Sequence, residues 1–230
     1  MVKEYTAIVG KVVVWADGLK SIYLRFKDEK MAFSAGQYVM LRAKINDKLE
    51  SRAYSIASTP IDDEIEIIFR VVGPFTTYLD RLKEGDIIEV VGPFGHLNKG
   101  MAKRRNAVFV ATGTGLSPLL SIITDIIKSG ECARFGSIVL LYGTKYENML
   151  VHKKEIEELM AKCPNFVFCP ILSREEKWVG RSGHVQAHIG EFIKDDTDYF
   201  ICGLPAMTDE VEKILLEKGV KKECIHLERF

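Results

Sequence analysis

Val110-Ala-Thr-Gly-Thr-Gly-Leu-Ser-Pro118 is the stretch on which the fold turns. A short apolar run, 107–112, leads into it. Behind it, 118–128 carries Leu119, Leu120, Ile122, Ile123, Ile126 and Ile127 on one broad helical face. Strand, glycine turn and helix, in that order, offer an anion close backbone approach and the free N–H groups of a helix start. Ser117 is placed to cap the helix, and Pro118 suits its first turn. Gly113 and Gly115 would equally serve a tight turn without a ligand, but the flanking strand and helix are the context a nucleotide loop requires. Pro118 stands where the usual dinucleotide fingerprint has its third glycine.

Downstream the same rhythm repeats. Strands are predicted at 137–142, 166–171, 199–203 and 224–227, and helices near 153–161, 185–192 and 206–218. Alternating strands and helices predict a parallel sheet covered on both faces. Upstream the rhythm is different. Runs at 5–15, 20–27, 37–43, 52–57, 64–72 and 86–92 read as short strands separated by turns, with Ile65, Ile67, Phe69 and Val71 sharing one face. Such a series predicts a small antiparallel barrel. The chain therefore divides into a barrel domain, 1–100, and an α/β domain, 101–230. The polar stretch 98–105, with its basic run, reads as a solvated linker.

Lys plus Arg and Asp plus Glu number 32 each, so the net charge is zero and no basic nucleic-acid footprint is present. The N-terminus lacks the basic and apolar segments of a secretory signal. No apolar run reaches the roughly 18–20 residues needed to span a bilayer. A cytoplasmic protein is expected. The five cysteines, Cys132, Cys163, Cys169, Cys202 and Cys224, form neither CxxC nor the spacing of a plant-type iron–sulfur cluster. An odd number predicts reduced thiols, and the chain has no one-electron relay of its own. His184 and His188 stand four apart on a predicted helix, but no third ligand or HExxH accompanies them, so no metal site is expected. GxSxG is absent as well.

The second predicted strand of the α/β half ends Leu141-Tyr-Gly-Thr-Lys145, with lysine where an NAD site carries an acid. Ser173, Arg174 and Arg181 follow the third strand. Hydroxyl and guanidinium groups suit a 2′-phosphate, which favours NADP(H) over NAD(H); an exposed polar loop is the alternative. In the barrel half, Ser51-Arg-Ala-Tyr-Ser55 puts Arg52 and Tyr54 on one face and Ser55 on the other, so a guanidinium for a phosphate accompanies an aromatic for a flat ring.

Arg52-Ala53-Tyr54-Ser55, Gly73-Pro-Phe-Thr76, Gly92-Pro-Phe-Gly95, the Gly113/Gly115/Pro118 loop and Tyr199-Phe-Ile-Cys202-Gly203 occur in a fixed order over nearly the whole chain. In this the sequence resembles the ferredoxin–NADP reductases, with their flavin reductase, oxygenase reductase and cytochrome b5 reductase relatives. The resemblance implies a six-stranded antiparallel Greek-key flavin-binding barrel followed by a Rossmann-like five-stranded parallel α/β nucleotide-binding domain. It implies FAD as cofactor, with hydride passing between nicotinamide C4 and flavin N5 and electrons moving to a separate ferredoxin, flavodoxin or oxygenase component. A free flavin reductase is the alternative enzyme, and a non-catalytic nucleotide-sensing or assembly subunit the alternative of another class.

The resemblance also implies residue roles. Arg52 holds the flavin phosphate, Tyr54 lies along the isoalloxazine and Ser55 bonds near N5. Ala53, Phe69, Arg70 and Gly73 line the same cofactor, and Thr76 with Thr77 meets its pyrophosphate. Thr112, Gly113, Thr114 and Gly115 meet the nicotinamide nucleotide. Cys202 sits by the transferring carbon, and Gly203 keeps that approach open; Cys202 as a buried small hydrophobe is the plainer reading. Glu228 relays a proton or orients the nicotinamide, and Phe230 covers the second flavin face. Relatives commonly end in Tyr or Trp, and carry small residues where this chain has Pro74-Phe75.

Overall fold

The computed structural model describes residues 2–229. Six strands form the first sheet: β1 (Lys3–Ala16), β2 (Leu19–Phe26), β3 (Tyr38–Ile45), β4 (Lys48–Ser55), β5 (Ile65–Arg70) and β6 (Ile87–Phe94). All pairings are antiparallel, in the order β4-β3-β6-β1-β2-β5. The outer strands curl toward each other. An isolated bridge, Ile56 to Ile67, and the Ala57 N–H donating to the Glu66 carbonyl at 2.9 Å join the two edges. Asn46 (φ 48°) and Asp47 (φ 63°) turn β3 into β4 over two residues, the positive-φ geometry whose twist matches a tight hairpin.

Alternation fills the barrel. Ala7 and Val9, Ile22 and Leu24, Val39 and Leu41, Ile67 and Phe69, Ile88 and Val90 all point inward and share one core. Each fully buried Leu, Ile or Phe contributes about 1.5–3 kcal/mol. A helix not expected from the sequence, α1 (Pro74–Arg81), lies between β5 and β6 and inserts Phe75 and Leu79 into that core. Phe69 is fully buried there too, its side chain part of the barrel core.

The second sheet is parallel throughout: β7 (Asn106–Thr112), β8 (Ser137–Thr144), β9 (Phe166–Leu172), β10 (Arg181–Ser182), β11 (Thr197–Gly203) and β12 (Ile225–Arg229), in the order β10-β9-β8-β7-β11-β12. The five expected strands are present, with the two-residue β10 added at the edge. Helices α2 (Leu116–Lys128) and α3 (Lys153–Lys162) pack into one core, and α4 (Pro205–Glu217) contributes Met207, Val211 and Leu215 to a second. The order reverses at β7, which pairs with β8 on one side and β11 on the other. Open α/β sheets hold ligands at the carboxyl ends of strands at such a point.

Several expectations need correction. Residues 185–192 form two short 3-10 turns, Val185–Ala187 and Ile189–Phe192, because Gly190 and the His188 turn interrupt the helical spacing. Ser117 does not cap α2; it lies inside the first turn, and its hydroxyl donates back to the Thr114 carbonyl at 2.9 Å. The basic run is not a free linker. The Asp198 carboxylate accepts from the Lys103 and Arg104 N–H groups at 2.8 and 3.0 Å, and Arg104 also pairs with Glu223. Cys132 and Cys163 are joined as a disulfide, because the 131–134 turn and the end of α3 lie side by side; Cys169, Cys202 and Cys224 are free. No helix among the described residues is long and apolar enough to cross a membrane.

The two sheets meet across a packed seam. Leu19, Ala35, Ala57, Ile68 and Leu97 of the first half share a core with Leu116, Leu120 and Ile123 of α2. The Ser121 hydroxyl donates to the Ser58 carbonyl at 2.6 Å, and Lys128 to Asp62 at 2.7 Å. This seam explains why β5 is buried on both faces, with Ile68 and Glu66 inaccessible on the side that alternation leaves for solvent.

Candidate active-site cleft

The last residues of β4 carry the barrel's contribution. Arg52 is exposed, with its guanidinium 5.8 Å from the Phe75 ring and one nitrogen on Glu50 at 2.7 Å. Tyr54 is half-buried and stacks near Phe75, centroids 6.1 Å apart at 26°. Burial lifts its phenol to about 12, against the lowering influence of Arg52. Arg52 and Tyr54 thus make one cationic and aromatic face, backed by the buried Phe75 ring, and Ala53 turns the other way, exposed. Ser55 is 4% exposed, and its Oγ has no hydrogen-bond partner. A buried, unpartnered hydroxyl costs free energy unless something else satisfies it.

Below this face, α1 begins. The Thr76 hydroxyl accepts from the Val72 and Gly73 N–H groups at 2.9 and 3.0 Å, so it is committed to capping its own helix. The Thr77 N–H donates to the Gly73 carbonyl at 2.8 Å. Beside them lies a cavity of about 730 Å³ whose lining includes Gly73, Pro74, Thr77, Lys44, Asn46 and Arg81. Arg70 is exposed at the end of β5.

The parallel sheet supplies the facing wall. Gly113 (φ 54°) stands open, with nothing within 4 Å of the place a Cβ would take. Gly115 does the opposite: a Cβ there would strike the Cys202 carbonyl and lie 2.7 Å from Gly203 Cα. Gly203 (φ 152°) in turn would drive a Cβ into Thr112 Oγ1 and to 2.8 Å from Met207 Cε. The two glycines let the ends of β7 and β11 lie backbone against backbone. Thr114 supplies the carbonyl that Ser117 holds. Thr112 Oγ1 is the second buried hydroxyl without a partner.

Cys202 is 0% exposed and in register with Glu228 on β12. Burial, and then the Glu228 charge, push the thiol well above its ordinary value, so it stays protonated. Burial also lifts Glu228 from 4.5 to about 7, and its Oε2 has no partner. The carboxylate reaches the barrel: a Cβ on Gly95 would lie 3.7 Å from Glu228 Oε1 and 3.0 Å from the Tyr38 ring. Tyr38 stacks on Phe94, centroids 5.6 Å apart, and is in register with Ser55. The Gly113–Gly115 turn itself contacts β5. Ser55, Tyr38, Gly95, Glu228 and Cys202 are therefore linked neighbour to neighbour, from β4 through β3 and the Gly95 turn to β12 and β11, and the two halves meet along that line.

Sequence had not singled out Tyr38, and it noted Phe75 only as a departure from the family pattern. Tyr38 becomes visible only through strand register, and Phe75 only through the unexpected α1. Three candidates lie elsewhere. Ser173 has its Oγ on the Thr144 carbonyl at 3.4 Å, and Arg174 is exposed; both sit at the carboxyl ends of β8 and β9. Arg181 pairs with Glu191 at 2.7 Å and lies over the Phe192 ring. A cavity of about 540 Å³ beside Arg174 is lined by Tyr146, Glu147, Asn148 and Glu175. Phe230 lies outside the described residues. His188 bonds the Ser182 carbonyl and Glu191, and no group of three or more potential metal ligands occurs among the described residues.

The barrel wall carries an aromatic ring, the sheet wall an open glycine, and each a buried hydroxyl without a partner. The comparisons define the class as a two-domain redox enzyme. Residues 12–98 match the oxidoreductase FAD-binding domain family and residues 109–213 the oxidoreductase NAD-binding domain family. A ferredoxin–NADP reductase B of Sorangium cellulosum (strain So ce56) is 32% identical over 211 residues, 86% of this chain and 85% of that protein. The reductase component of phenol 2-monooxygenase from Pseudomonas sp. (strain CF600) is 32% identical over 240 residues, 100% of this chain and 66% of that protein. A ferredoxin NADP+ reductase from Neisseria gonorrhoeae, solved with bound FAD and NADP, superimposes with a TM-score of 0.85 at 22% identity, covering 99% of this chain and 98% of that one; at that identity it speaks for the fold. The chain belongs to the ferredoxin–NADP reductase family of NAD(P)H flavoprotein oxidoreductases. It spans about two thirds of the length of that monooxygenase reductase component.

Proposed function

We propose that this chain takes reducing equivalents from NAD(P)H and delivers them to a separate redox protein, a ferredoxin, a flavodoxin or an oxygenase component. The carrying observation is the line of neighbours that joins Ser55 of the barrel, through Tyr38 and Gly95, to Glu228 and Cys202 of the nucleotide sheet. A bound FAD supplies the two-electron to one-electron conversion that the chain's own groups cannot perform.

Arg52 grips the flavin phosphate as a charged hydrogen-bond donor, and Tyr54 with Phe75 gives the ring system an apolar bed. The Gly73–Thr77 stretch and the adjoining cavity, with Lys44 and Arg81, take the pyrophosphate and its nucleoside. Thr76 acts there by shaping the helix start, since its hydroxyl is already used. Ser55 Oγ offers its unpartnered hydroxyl to the reacting edge of the flavin. Thr112, Gly113, Thr114 and Gly115 seat the nicotinamide nucleotide, and Gly203 leaves its approach open. Glu228, lifted to about 7, holds or releases a proton near neutral pH. The buried thiol of Cys202 excludes water beside it.

Preference for NADP(H) rests on Arg174 and Lys145, exposed at the carboxyl ends of β9 and β8 and in no ion pair among the described residues. Glu175, on the neighbouring cavity, opposes it, and Lys153 holds Glu147 at 2.7 Å. The cytoplasmic setting rests on the supply of reduced nucleotide, because the Cys132–Cys163 disulfide removes the support of an all-thiol chain. The test is anaerobic titration of the purified protein with NADPH and with NADH, watching the flavin absorbance. Stoichiometric retained flavin that bleaches supports the proposal. Flavin that is released points to a free flavin reductase, and a nucleotide that binds without bleaching refutes catalysis.

A further inference from the structure

The chemistry proposed above does not use a second buried contact that crosses the seam. Glu66 on β5 is 4% exposed and His152, the residue before α3, is 8% exposed. Both Glu66 carboxylate oxygens lie close to His152 Nε2, at 2.8 and 2.9 Å. One partner belongs to the barrel and the other to the parallel-sheet half. His152 is held at φ 56°, a left-handed conformation that a non-glycine residue adopts at a cost.

The surroundings fix the charge state of the pair. The imidazole packs on Trp15 of β1, centroids 4.6 Å apart, and the Trp15 indole N–H donates to the buried Ser21 hydroxyl of β2 at 2.8 Å. Tyr23 of β2 is the cross-strand neighbour of Glu66, and the Lys11 ammonium of β1 lies 5.3 Å from the Tyr23 ring. Burial, then the charge of Glu66, with Glu155 and Asp62 more remote, keeps that phenol protonated. On the other side, Glu155 of α3 places Oε1 3.7 Å from His152 Nδ1. Both ring nitrogens therefore face carboxylates. A neutral imidazole has one N–H and would turn a lone pair on one of them; the imidazolium meets both. A buried carboxylate such as Glu66 also requires a nearby cation.

Glu66 is stapled to the flavin-side strand. Its carbonyl accepts from the Ala57 N–H at 2.9 Å, and its N–H donates to Ser58 Oγ at 2.9 Å, two and three residues beyond Ser55. His152 closes the segment that leaves β8 at Thr144, at the carboxyl edge of the nucleotide sheet.

We infer that Glu66 and His152 form a clasp that sets the spacing between the strand bearing Tyr54 and Ser55 and the carboxyl edge of the parallel sheet, and that the clasp loosens as His152 loses its proton. They are positioning residues for the proposed hydride transfer, and in that respect the inference rests on the functional reading above. Burial pushes His152 down, but the hydrogen bond and charge of Glu66, with Glu155 behind, outweigh it and hold the ring above its ordinary 6.5. A histidine raised in the folded state contributes fully below about 6.5, its unfolded value, and loses that contribution as pH climbs through the raised one. The clasp is thus closed in mild acid and opens as pH rises through that raised value.

The experiment uses the flavin-loaded enzyme, wild type, Glu66→Gln, His152→Gln and the double variant, between pH 6 and 9.5. Stopped-flow bleaching at saturating NADPH or NADH reads hydride transfer. Wild type slows about tenfold as pH rises, within the cost that a small misplacement carries. Each variant is slow at pH 6 and loses the His152 part of the pH dependence, keeping only the part that a Glu228→Gln background removes; nucleotide affinity stays within about twofold, and the double variant matches the singles because the residues act as one unit. A wild-type profile in either single variant overturns the inference. Hydrogen exchange reads the clasp without flavin chemistry: peptides covering 55–58 and 150–156 loosen together in the variants. Acceleration confined to 150–156 overturns the inference even if no nucleotide bleaches the flavin, an outcome that by itself refutes only the functional reading. Should the buried glutamine prevent folding, wild-type exchange at pH 6 and pH 9, corrected for the intrinsic rate, gives the same decision.

Discussion

Glu228→Gln keeps the shape of the side chain and removes its titration. In the wild type, burial lifts the carboxyl from 4.5 to about 7, with Oε2 unpartnered. The folded state therefore holds a proton that the unfolded chain has already released anywhere between those values. A carboxyl raised in this way stabilises the fold fully below about 4.5 and loses that stabilisation as pH rises through about 7. A displacement of this size corresponds to about 3 kcal/mol at full desolvation, and partial solvent access at the end of β12 reduces it to about 1–2 kcal/mol. Urea unfolding of both proteins from pH 4 to 8.5 isolates the effect, because every other titrating group, His152 included, cancels in the difference. The curves should coincide at pH 4 and separate through pH 5–7, with the variant more stable by about 1–2 kcal/mol at pH 8. Parallel curves over the whole range would refute the claim that this carboxyl is raised by burial.

Ser55→Ala should slow flavin bleaching about tenfold or more in stopped flow while flavin stays bound, since it deletes a hydroxyl aimed at the reacting edge; an unchanged rate removes Ser55 from the chemistry. Gly203→Ala pushes a methyl against Thr112 Oγ1 and Met207 at a positive-φ position, and thermal unfolding should show a loss of about 1–3 kcal/mol. Arg174→Ala should weaken NADPH about tenfold and leave NADH within about twofold, measured by equilibrium binding; equal losses for both would place Arg174 away from the 2′-phosphate.

Period and turn chemistry carried much of the fold. Ile65, Ile67 and Phe69 alternate cleanly and do face the barrel core, and the strand–glycine–helix order at 107–128 stands as read. What stayed hidden depends on tertiary contact. Phe69 reads equally as a core residue or a cofactor contact until the curl of the sheet is known. Helix α1 escaped notice because a Gly-Pro start looks like a turn and eight residues offer barely two periods. Burial of Glu66 on the supposedly wet face of β5 follows from the second half of the chain covering that face. Within the cleft, Ser55, Thr112, Cys202 and Glu228 were legible as residue types in order, whereas the Tyr38–Gly95 bridge between the walls required strand register. Arg181 shows the converse: the sequence does not reveal that this guanidinium pairs with Glu191, ten residues further along the chain.

The doubly buried β5 has a consequence for dissection and recombination. Cut the chain near residue 100, and Leu19, Ile68 and Leu97 become wet hydrocarbon while Glu66 loses its counter-ion. A flavin half expressed alone would bring a sticky flank with it, and a chimaera with another nucleotide half would have to inherit a matching α2 surface. The cofactor modules of such an enzyme are exchangeable only as a mated pair.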